Sequence, residues 1–433
     1  MVSMRHTQFR WLYASNALFF FAMNGQFVVR SYLAYKLTDD SPFALGLINL
    51  AVALPMLLMS PIGGVVSDRI ERRKLVVIGQ GLIVANELTV LLLLMTNTLE
   101  FWHLLVMVAF MGCIFPFIMP ARQAMTVEIV GRRELSNAMA LMMGAMNAAR
   151  VVAPALAGFV IYLVRIEWTY AIAVSVYAAA LFCMFKVNRS QPVREEKKSV
   201  YHDMLEGARY VAKTPSVRAL MILSIVPMLL AMPFQSLLVV FAEDVWDTGS
   251  RGLGILQAAA GLGGVAGSVY VAWHGESKRL LRVMVGSLVG FAATLLLFAL
   301  SPYFLLALPL LLISDAFASI FGTVNGTAIQ LLIPDHVRGR VMSLMMMTFG
   351  LTPLGALPVS AAAEAWGAPV AVGGAAVVTV LLSLLLVVLS RSLREIDSTA
   401  REARAAELAG PSQFMPLTRP GAPAAPVQAA SAQ

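Results

Sequence analysis

Long apolar runs separated by short polar breaks make up most of this chain. Two of them, residues 219–242 and 283–314, contain no Asp, Glu, Lys or Arg. A helix needs about 20 apolar residues to cross the hydrocarbon core of a bilayer, and in lipid every backbone polar group has to bond internally. The pattern therefore predicts an all-α protein that crosses a membrane many times.

The apolar runs and their breaks predict twelve transmembrane helices. The six tryptophans fall at the ends of these helices, as expected for side chains that prefer the interface between membrane and water. The predicted spans lie near residues 10–33, 43–66, 74–97, 101–121, 137–163, 168–186, 217–242, 252–273, 281–300, 302–330, 340–363 and 368–390.

Residues 187–216 form the only long polar segment between predicted spans, and their apolar positions repeat at helical spacing. We expect a short amphipathic helix there, lying on the cytoplasmic face. This linker separates an N-terminal six-helix bundle, residues 1–186, from a C-terminal six-helix bundle, residues 217–391. Residues 392–433 are charged and then rich in Pro and Ala, which predicts a disordered cytoplasmic tail.

The two halves share faint sequence similarity. Leu45-Gly46, near the start of the second span, recurs as Leu253-Gly254 near the start of the eighth. Parallel repeats of six spans are a transporter architecture, so we expect two pseudo-symmetric bundles of six transmembrane helices.

The distribution of charge supports a membrane protein and predicts its orientation. Only 13% of the 433 residues are charged, whereas a soluble domain carries roughly 25%. Lys and Arg collect in alternate loops, as at residues 69–74 and 186–198. The positive-inside rule then places both termini in the cytoplasm of a protein of the cell (inner) membrane. The net charge of +8 reflects this topology, and with no basic soluble domain we expect no nucleic-acid partner.

No residue pattern points to an enzyme. Cys113 and Cys183 lie inside apolar runs, and the five histidines lie in tails, loops or span edges without the spacing of metal ligands. A phosphate-binding Gly-Lys-Ser/Thr loop is also absent from the sequence. We therefore expect no catalytic residue, no metal and no cofactor.

A polar motif follows the second predicted span. It consists of Gly64, Asp68, Arg69, Arg72 and Arg73. The aspartate stands at the membrane edge, where a carboxylate can face the positive N-terminus of another helix, and the arginines offer forked donors to carboxylates or lipid phosphates. The alternative interpretation is a positively charged cytoplasmic loop with no further role.

This motif resembles the signature of the major facilitator superfamily, which is glycine, three residues, Asp-Arg, two residues and a basic pair. Glu71 stands where the family usually has glycine. The stretch from Asn147 to Gly158, with Pro154 in it, looks like helix 5 of the drug- and siderophore-exporting branch, which includes the enterobactin exporter and macrolide efflux proteins. Ala153 replaces the usual glycine before this proline, so the antiporter motif is incomplete.

Four ionisable residues fall inside predicted spans, where each costs at least about 2.5–3.5 kcal/mol on insertion scales. They are Arg30, Glu87, Arg150 and Asp315. In the family, helices 1, 4, 7 and 10 line the central cavity and helices 2, 5, 8 and 11 join the halves. This map favours Asp315 and Arg150 as proton-coupling groups, and a permanent ion pair between the halves is the alternative.

The other two charges have their own alternatives. Arg30 either belongs to the cavity or extends its side chain toward water at the end of its span. Glu87 is either a proton site or a hydrogen-bonding group within its own half. Asn24, Gln26 and Gln235 either bind a polar group of the substrate or bond between helices.

The resemblance implies a secondary transporter that exports an amphipathic small molecule, drug-like or siderophore-like, by alternating access and proton antiport. Its expected partners are the small-molecule substrate, protons and the lipid bilayer, and we expect a monomer. An importer or a lysophospholipid flippase of the same fold is the alternative within transport. A substrate sensor that no longer transports is the alternative outside it.

Overall fold

The computed structural model describes residues 2–188, 200–274, 279–334, 337, 340–341, 344–345 and 352–409. Every regular element in these residues is helical, which confirms the all-α prediction. Apolar side chains of residues far apart in sequence form two buried clusters, one mostly within residues 9–187 and a larger one that extends across the rest of the described chain.

Residues 2–188, here the first half, begin with a short turn of 3₁₀-helix (Val2–Arg5) and continue as six long helices. The fourth and fifth are arms of one helical stretch, Phe101–Val164, that is broken at Gly131, where φ is 69° and ψ is 170°. Such a backbone conformation suits glycine, which has no Cβ to clash. The helices are α1 (Thr7–Lys36), α2 (Pro42–Arg69), α3 (Arg72–Met95), α4 (Phe101–Gly131), α5 (Asn137–Val164) and α6 (Ile166–Phe185).

Residues 200–409, here the second half, start with the amphipathic helix predicted for the linker. A break and a π-helical turn (Phe241–Val245) interrupt the helical region that follows it, Pro215–Val245. The helices are α7 (Val200–Lys213), α8 (Pro215–Leu230), α9 (Phe234–Val240), α10 (Gly249–His274), α11 (Leu280–Ala299), α12 (Phe304–Leu332), α13 (Thr352–Trp366), α14 (Ala368–Leu389), α15 (Arg391–Arg394) and α16 (Ile396–Ala409).

The start of the C-terminal tail is helical, which corrects the expectation of disorder from residue 392 onward. The side chains of Leu393, Ile396 and Ala400 are buried against the second half. Asp397 accepts a hydrogen bond from the backbone N–H of Leu281, at the first turn of α11, at 3.1 Å. The apolar side chains were sparse in sequence, but helical spacing places them on one face. Residues 410–433 lie outside the described residues.

Ten regions of the described chain are long and apolar enough to span a membrane. They correspond to α2 to α6, the region Pro215–Val245, α10 to α12 and α14. Helix α1 is 30 residues long but carries more polar side chains, and α13 is preceded by residues outside the described ranges. The count of twelve spans therefore remains a prediction.

The two ends of the helical bundle differ in charge. One end, here the basic end, holds Arg72, Arg73, Lys186 and α7. The opposite end, here the acidic end, holds several carboxylates near the ends of α1, α9 and α13. These are Asp39, Asp40, Glu243, Asp244 and Glu364.

Glycines allow the two halves to approach closely along two helix pairs, α2 with α13 and α5 with α10. A Cβ added to Gly158 would lie 2.5 Å from the Cα of Gly254. One added to Gly46 would lie 2.9 Å from the Cα of Leu357. Small residues at such crossings let helix backbones touch, and the helix-5 motif places Gly158 at one of them.

Candidate functional site

A cavity of about 740 Å³ lies between the two halves. Helices α1 and α5 contribute to it from the first half, and α8, α9, α10 and α12 from the second. Most of its wall is apolar, and a few polar side chains converge on it, which is typical of small-molecule sites. The polar side chains include Asn24, Asn147, Arg150, Gln235, Gln257, Asp315 and Asn325.

Asp315 on α12 is the buried carboxylate of this cavity, with only 9% of the residue exposed. Arg150 on α5 attracts it electrostatically, and Gln235 on α9 lines the same cavity and stabilises the charge of the carboxylate. Its Oδ2 atom has no hydrogen-bond partner among the described residues. The structure thus brings together three predicted residues from three helices and both halves, and it leaves one carboxylate oxygen available.

The remaining cavity residues explain how the helices shape the site. Pro154 of the helix-5 motif lines the cavity one turn above Arg150. Met228 and Met232 contribute flexible apolar wall from the second half, and Phe27 contributes an aromatic face from the first. Unbranched thioether side chains adapt to variable apolar surfaces, so this wall can contact substrates of differing shape.

Arg30 and Glu87 do not line this cavity; they bond to each other inside the first half. The Glu87 carboxylate also accepts hydrogen bonds from the Tyr170 hydroxyl at 2.6 Å and from Asn86 at 3.4 Å. Glu87 is fully buried, and Arg30 also contacts the sulfur of Met111 at 3.0 Å. The expectation that Arg30 reaches toward water is wrong, because its charge is bonded in the bundle interior.

The phase of α1 explains which of its polar residues reach the cavity. Asn24 and Phe27 line it, whereas successive helix residues turn by about 100°, so Gln26 and Arg30 face other helices. Gln26 is fully buried, and both polar atoms of its side chain lack a partner among the described residues. Of the three amides proposed for substrate binding, Asn24 and Gln235 are placed in the cavity and Gln26 is not.

Arg122 is a buried charge that sequence reasoning missed. The predicted fourth span ended at residue 121, but α4 continues through Pro120 to Gly131. Arg122 donates to Asn16 at 3.1 Å, and its guanidinium lies 4.5 Å from the Phe19 ring centre. Its Nε and Nη2 atoms have no partner among the described residues. The sequence feature that could have identified it is its position directly after the apolar run of the fourth predicted span.

The basic motif after α2 is only partly described. Arg72 forms an ion pair with Glu128 of α4 at 3.5 Å, and Arg73 donates to the backbone carbonyl of Phe185 at 2.9 Å. These two contacts join the start of α3 to α4 and α6. For Gly64, Asp68 and Arg69 only the helical backbone at the end of α2 is described.

These features define a class of protein. Many apolar helices, few charges, and a mostly apolar cavity with a few polar groups between two halves are the architecture of a polytopic membrane transporter. In the described residues, no group of His, Cys, Asp and Glu is arranged to hold a metal ion.

The family follows from comparison with known proteins. The family model for transmembrane secretion effectors matches residues 1–418, and the chain belongs to that family of the major facilitator superfamily. It is 27% identical to the multidrug efflux pump Tap of Mycolicibacterium fortuitum over 84% of this chain and 91% of that protein. The staphyloferrin A transporter of Staphylococcus aureus is 23% identical, covering 81% of this chain and 88% of that protein.

A third relative and two solved structures complete the comparison. The enterobactin exporter EntS of Shigella boydii is 24% identical over 65% of this chain and 68% of that protein. The nucleoside transporter NupG has the same fold, with a TM-score of 0.68, 12% identity and coverage of 90% of this chain and 99% of that one. An inward-facing, unoccupied bacterial homolog of the human lysosomal transporter Spinster has a TM-score of 0.68 and 13% identity, covering 92% of this chain and 97% of that one.

Proposed function

We propose that this chain exports an amphipathic small molecule by alternating access, driven by inward movement of protons. The observation that carries the proposal is the group of Asp315, Arg150 and Gln235 in a cavity between the halves. Two named relatives, an efflux pump and an exporter, support outward transport. The mostly apolar wall with a few convergent polar groups supports an amphipathic substrate.

Asp315 is suited to carry the proton because its charge lies in a cavity that both halves share. Ionised, the carboxylate attracts Arg150 across the gap and holds α5 and α12 together. Protonated, it loses that attraction and becomes a neutral donor. Binding of a proton and separation of the halves at this point are therefore coupled, and the available Oδ2 is the atom that accepts the proton.

The proposed architecture contains twelve transmembrane helices in two pseudo-symmetric bundles, residues 1–186 and 217–391, joined by the linker 187–216. Helix α1 and the helix that ends at Trp366 supply the two spans beyond the ten long apolar regions. The basic end faces the cytoplasm, with both termini, by the positive-inside rule. We further propose a monomer in the cell (inner) membrane.

Asp68, Gly64, Arg69, Arg72 and Arg73 form the proposed gate motif at the cytoplasmic end. A carboxylate there faces the positive N-terminus of the eleventh span when that end is closed. Support comes from the contacts of Arg72 and Arg73, which hold the start of α3 in place beside the motif.

Flux in proteoliposomes tests the function. A lipophilic cationic dye and a catecholate siderophore serve as separate probes, and an imposed proton gradient drives uptake into the acidic lumen. Wild type should concentrate at least one probe in a gradient-dependent manner. Asp315→Asn should insert normally but lose gradient-driven flux, because the amide cannot take up a proton at this position.

The matched control is Glu167→Gln, which neutralises a carboxylate on α6 that pairs with Arg165 and is not part of the cavity lining. It should transport like wild type. Full gradient-driven flux in Asp315→Asn would remove this residue from the mechanism. Probe binding without flux in the wild-type protein would indicate a sensor. Release of preloaded probe together with the protons that leave the acidic lumen would indicate a proton symporter and therefore an importer.

A further inference from the structure

The acidic end of the molecule carries a second set of polar contacts between the halves, separate from the cavity. The last turn of α1 and the start of α2 supply the first half's side of it. The π-helical turn and the end of α13 supply the other side. Its members, here the acidic-end latch, are Tyr35, Lys36, Ser41, Glu243, Asp244 and Glu364.

The first part of the latch joins α1 to the π-helical turn. The buried hydroxyl of Tyr35 donates a hydrogen bond to Asp244, and the Lys36 ammonium lies 2.7 Å from a Glu243 oxygen. The same ammonium lies 5.7 Å from the centre of the Tyr35 ring. An aromatic hydroxyl and a cation of one half are thus bonded to two adjacent carboxylates of the other.

The backbone of the π-helical turn brings both carboxylates to α1. The Trp246 N–H bonds to the carbonyl of Phe241, five residues back, at 3.1 Å. Single π turns inside helices occur frequently at functional sites. The turn is held on the second half, because the Trp246 indole packs on Phe298 and donates to the Ser301 carbonyl at 3.1 Å.

The second part of the latch joins α13 to the N-terminus of α2. Glu364 accepts a hydrogen bond from the Ser41 hydroxyl at 2.9 Å and from the Phe43 backbone N–H at 3.1 Å. Ser41 is the N-cap residue of α2, and its own side chain makes no cap bond. A carboxylate of the second half therefore satisfies a free donor of a first-half helix and faces its positive end.

We propose that the acidic-end latch keeps this end of the transporter closed, so that its rupture is a required step when the cavity opens toward the acidic end. The inference rests on the proposed alternating access. Each contact joins the two halves and is lost when they separate here. Neutral, shape-conserving variants should therefore shift the population toward the state open at the acidic end without disturbing either half.

Distances between spin labels test the latch in the purified protein. The labels are placed at Thr98→Cys and Leu305→Cys, two exposed positions on opposite halves at the acidic end, after Cys113 and Cys183 are replaced by serine. A second pair, Lys74→Cys and His274→Cys, reports on the basic end. Pulsed electron paramagnetic resonance then gives the populations of both ends.

Tyr35→Phe should raise the open-to-closed ratio at the acidic end about three- to tenfold, the usual effect of one hydrogen bond. Combined with Glu243→Gln and Glu364→Gln, the increase should be larger, and the basic-end distance should shorten in parallel. The matched control is Tyr177→Phe, which removes the hydroxyl of a buried tyrosine that has no hydrogen-bond partner among the described residues. Its distance distributions should match those of wild type.

Unchanged distributions in the folded triple variant would overturn the latch. If the triple variant does not fold, Tyr35→Phe alone decides, because it keeps the shape of the buried ring. If the latch substitutions change the spin-label distances but the wild-type protein transports neither probe, the latch is supported and the transport function is refuted. If the wild-type protein transports a probe but the latch substitutions leave the spin-label distances unchanged, only the latch is refuted.

Discussion

Two pairs of opposite charges lie at membrane depth, and they differ in location and in how completely they are bonded. Arg30 and Glu87 pair inside the first half, where Tyr170 and Asn86 also bond to the carboxylate. Asp315 lies in the cavity between the halves with Arg150 across from it, and one of its oxygens has no partner among the described residues.

The difference supports the proposal that Asp315 takes part in transport and that the Arg30–Glu87 pair is structural. A buried ion pair is stable only when additional hydrogen bonds satisfy its remaining atoms, and the Glu87 cluster meets that condition within one rigid half. A charge that both halves share can change partners when the halves move. Asp315 therefore has the freedom that a proton carrier needs, and Glu87 does not.

The largest expected effect is a loss of folding stability when the buried ion pair of Arg30 and Glu87 is broken. Glu87→Gln should lower the free energy of unfolding by about 3–5 kcal/mol, because Arg30 keeps its charge in a buried position without a counterion. Thermal or denaturant unfolding in detergent micelles measures the loss. A decrease below about 1 kcal/mol would mean that Arg30 finds another partner or reaches water.

An apolar replacement of the whole cluster provides the control. Arg30→Met, Glu87→Leu and Tyr170→Phe together remove the cation, the anion and the bonded hydroxyl. Replacing a buried ion pair by apolar residues of similar volume is often neutral or stabilising, so this variant should recover most of the stability lost in Glu87→Gln. A triple variant as unstable as the single one would show that the loss in Glu87→Gln does not come from the uncompensated charge of Arg30.

An intermediate effect is expected at the boundary between the halves. Gly158→Ala places a Cβ 2.5 Å from the Cα of Gly254, which is backbone and cannot turn aside. Overpacking of this kind costs about 1–3 kcal/mol and should hold α5 away from α10. Gly144, also on α5, has open space around it and provides the matched control. The free energy of unfolding should decrease in Gly158→Ala and increase in Gly144→Ala, because alanine is the better helix former where it fits.

The smallest effect on stability is expected at the cavity, where the proposed function predicts a large loss of transport. Asp315→Asn should change the free energy of unfolding by about 1 kcal/mol or less, because the cavity and Gln235 offer the amide other partners. The same unfolding assay used for Glu87→Gln makes the two carboxylates directly comparable. A loss of several kcal/mol at Asp315 would favour a permanent ion pair between the halves.

Several features of the site could be predicted from single positions. Asp315 and Arg150 were identified because each is a lone charge in the middle of an apolar run, and Pro154 because of its motif. For Glu87 the sequence left two alternatives, a proton site or a hydrogen-bonding group within its own half, and the structure shows bonds to Arg30 and Tyr170 of that half. The outcome depends on which face of α3 meets α1 and α6, and a single charge in a span gives no information about its partner.

The contacts of Arg122 and of the acidic-end latch were also not predictable from the sequence. Arg122 fell just outside the fourth predicted span, which ended near residue 121, yet α4 continues to Gly131 and packs against α1, α2 and α3. Glu243, Asp244 and Glu364 fall just outside the predicted spans 217–242 and 340–363. Only their contacts with Tyr35, Lys36 and Ser41 make them one structure.

The sequence alone determined that this is an all-helical membrane protein of the transporter class, with a basic end and a linker between two halves. These properties depend on local quantities, namely the length of apolar runs and the placement of Lys and Arg, which the bilayer selects segment by segment. The tertiary structure decided which charges are buried and bonded within one half, which face the cavity and which join the halves. Those outcomes depend on helix phase and on contacts between helices far apart in the chain, because a buried charge is stable only beside a partner that another helix supplies.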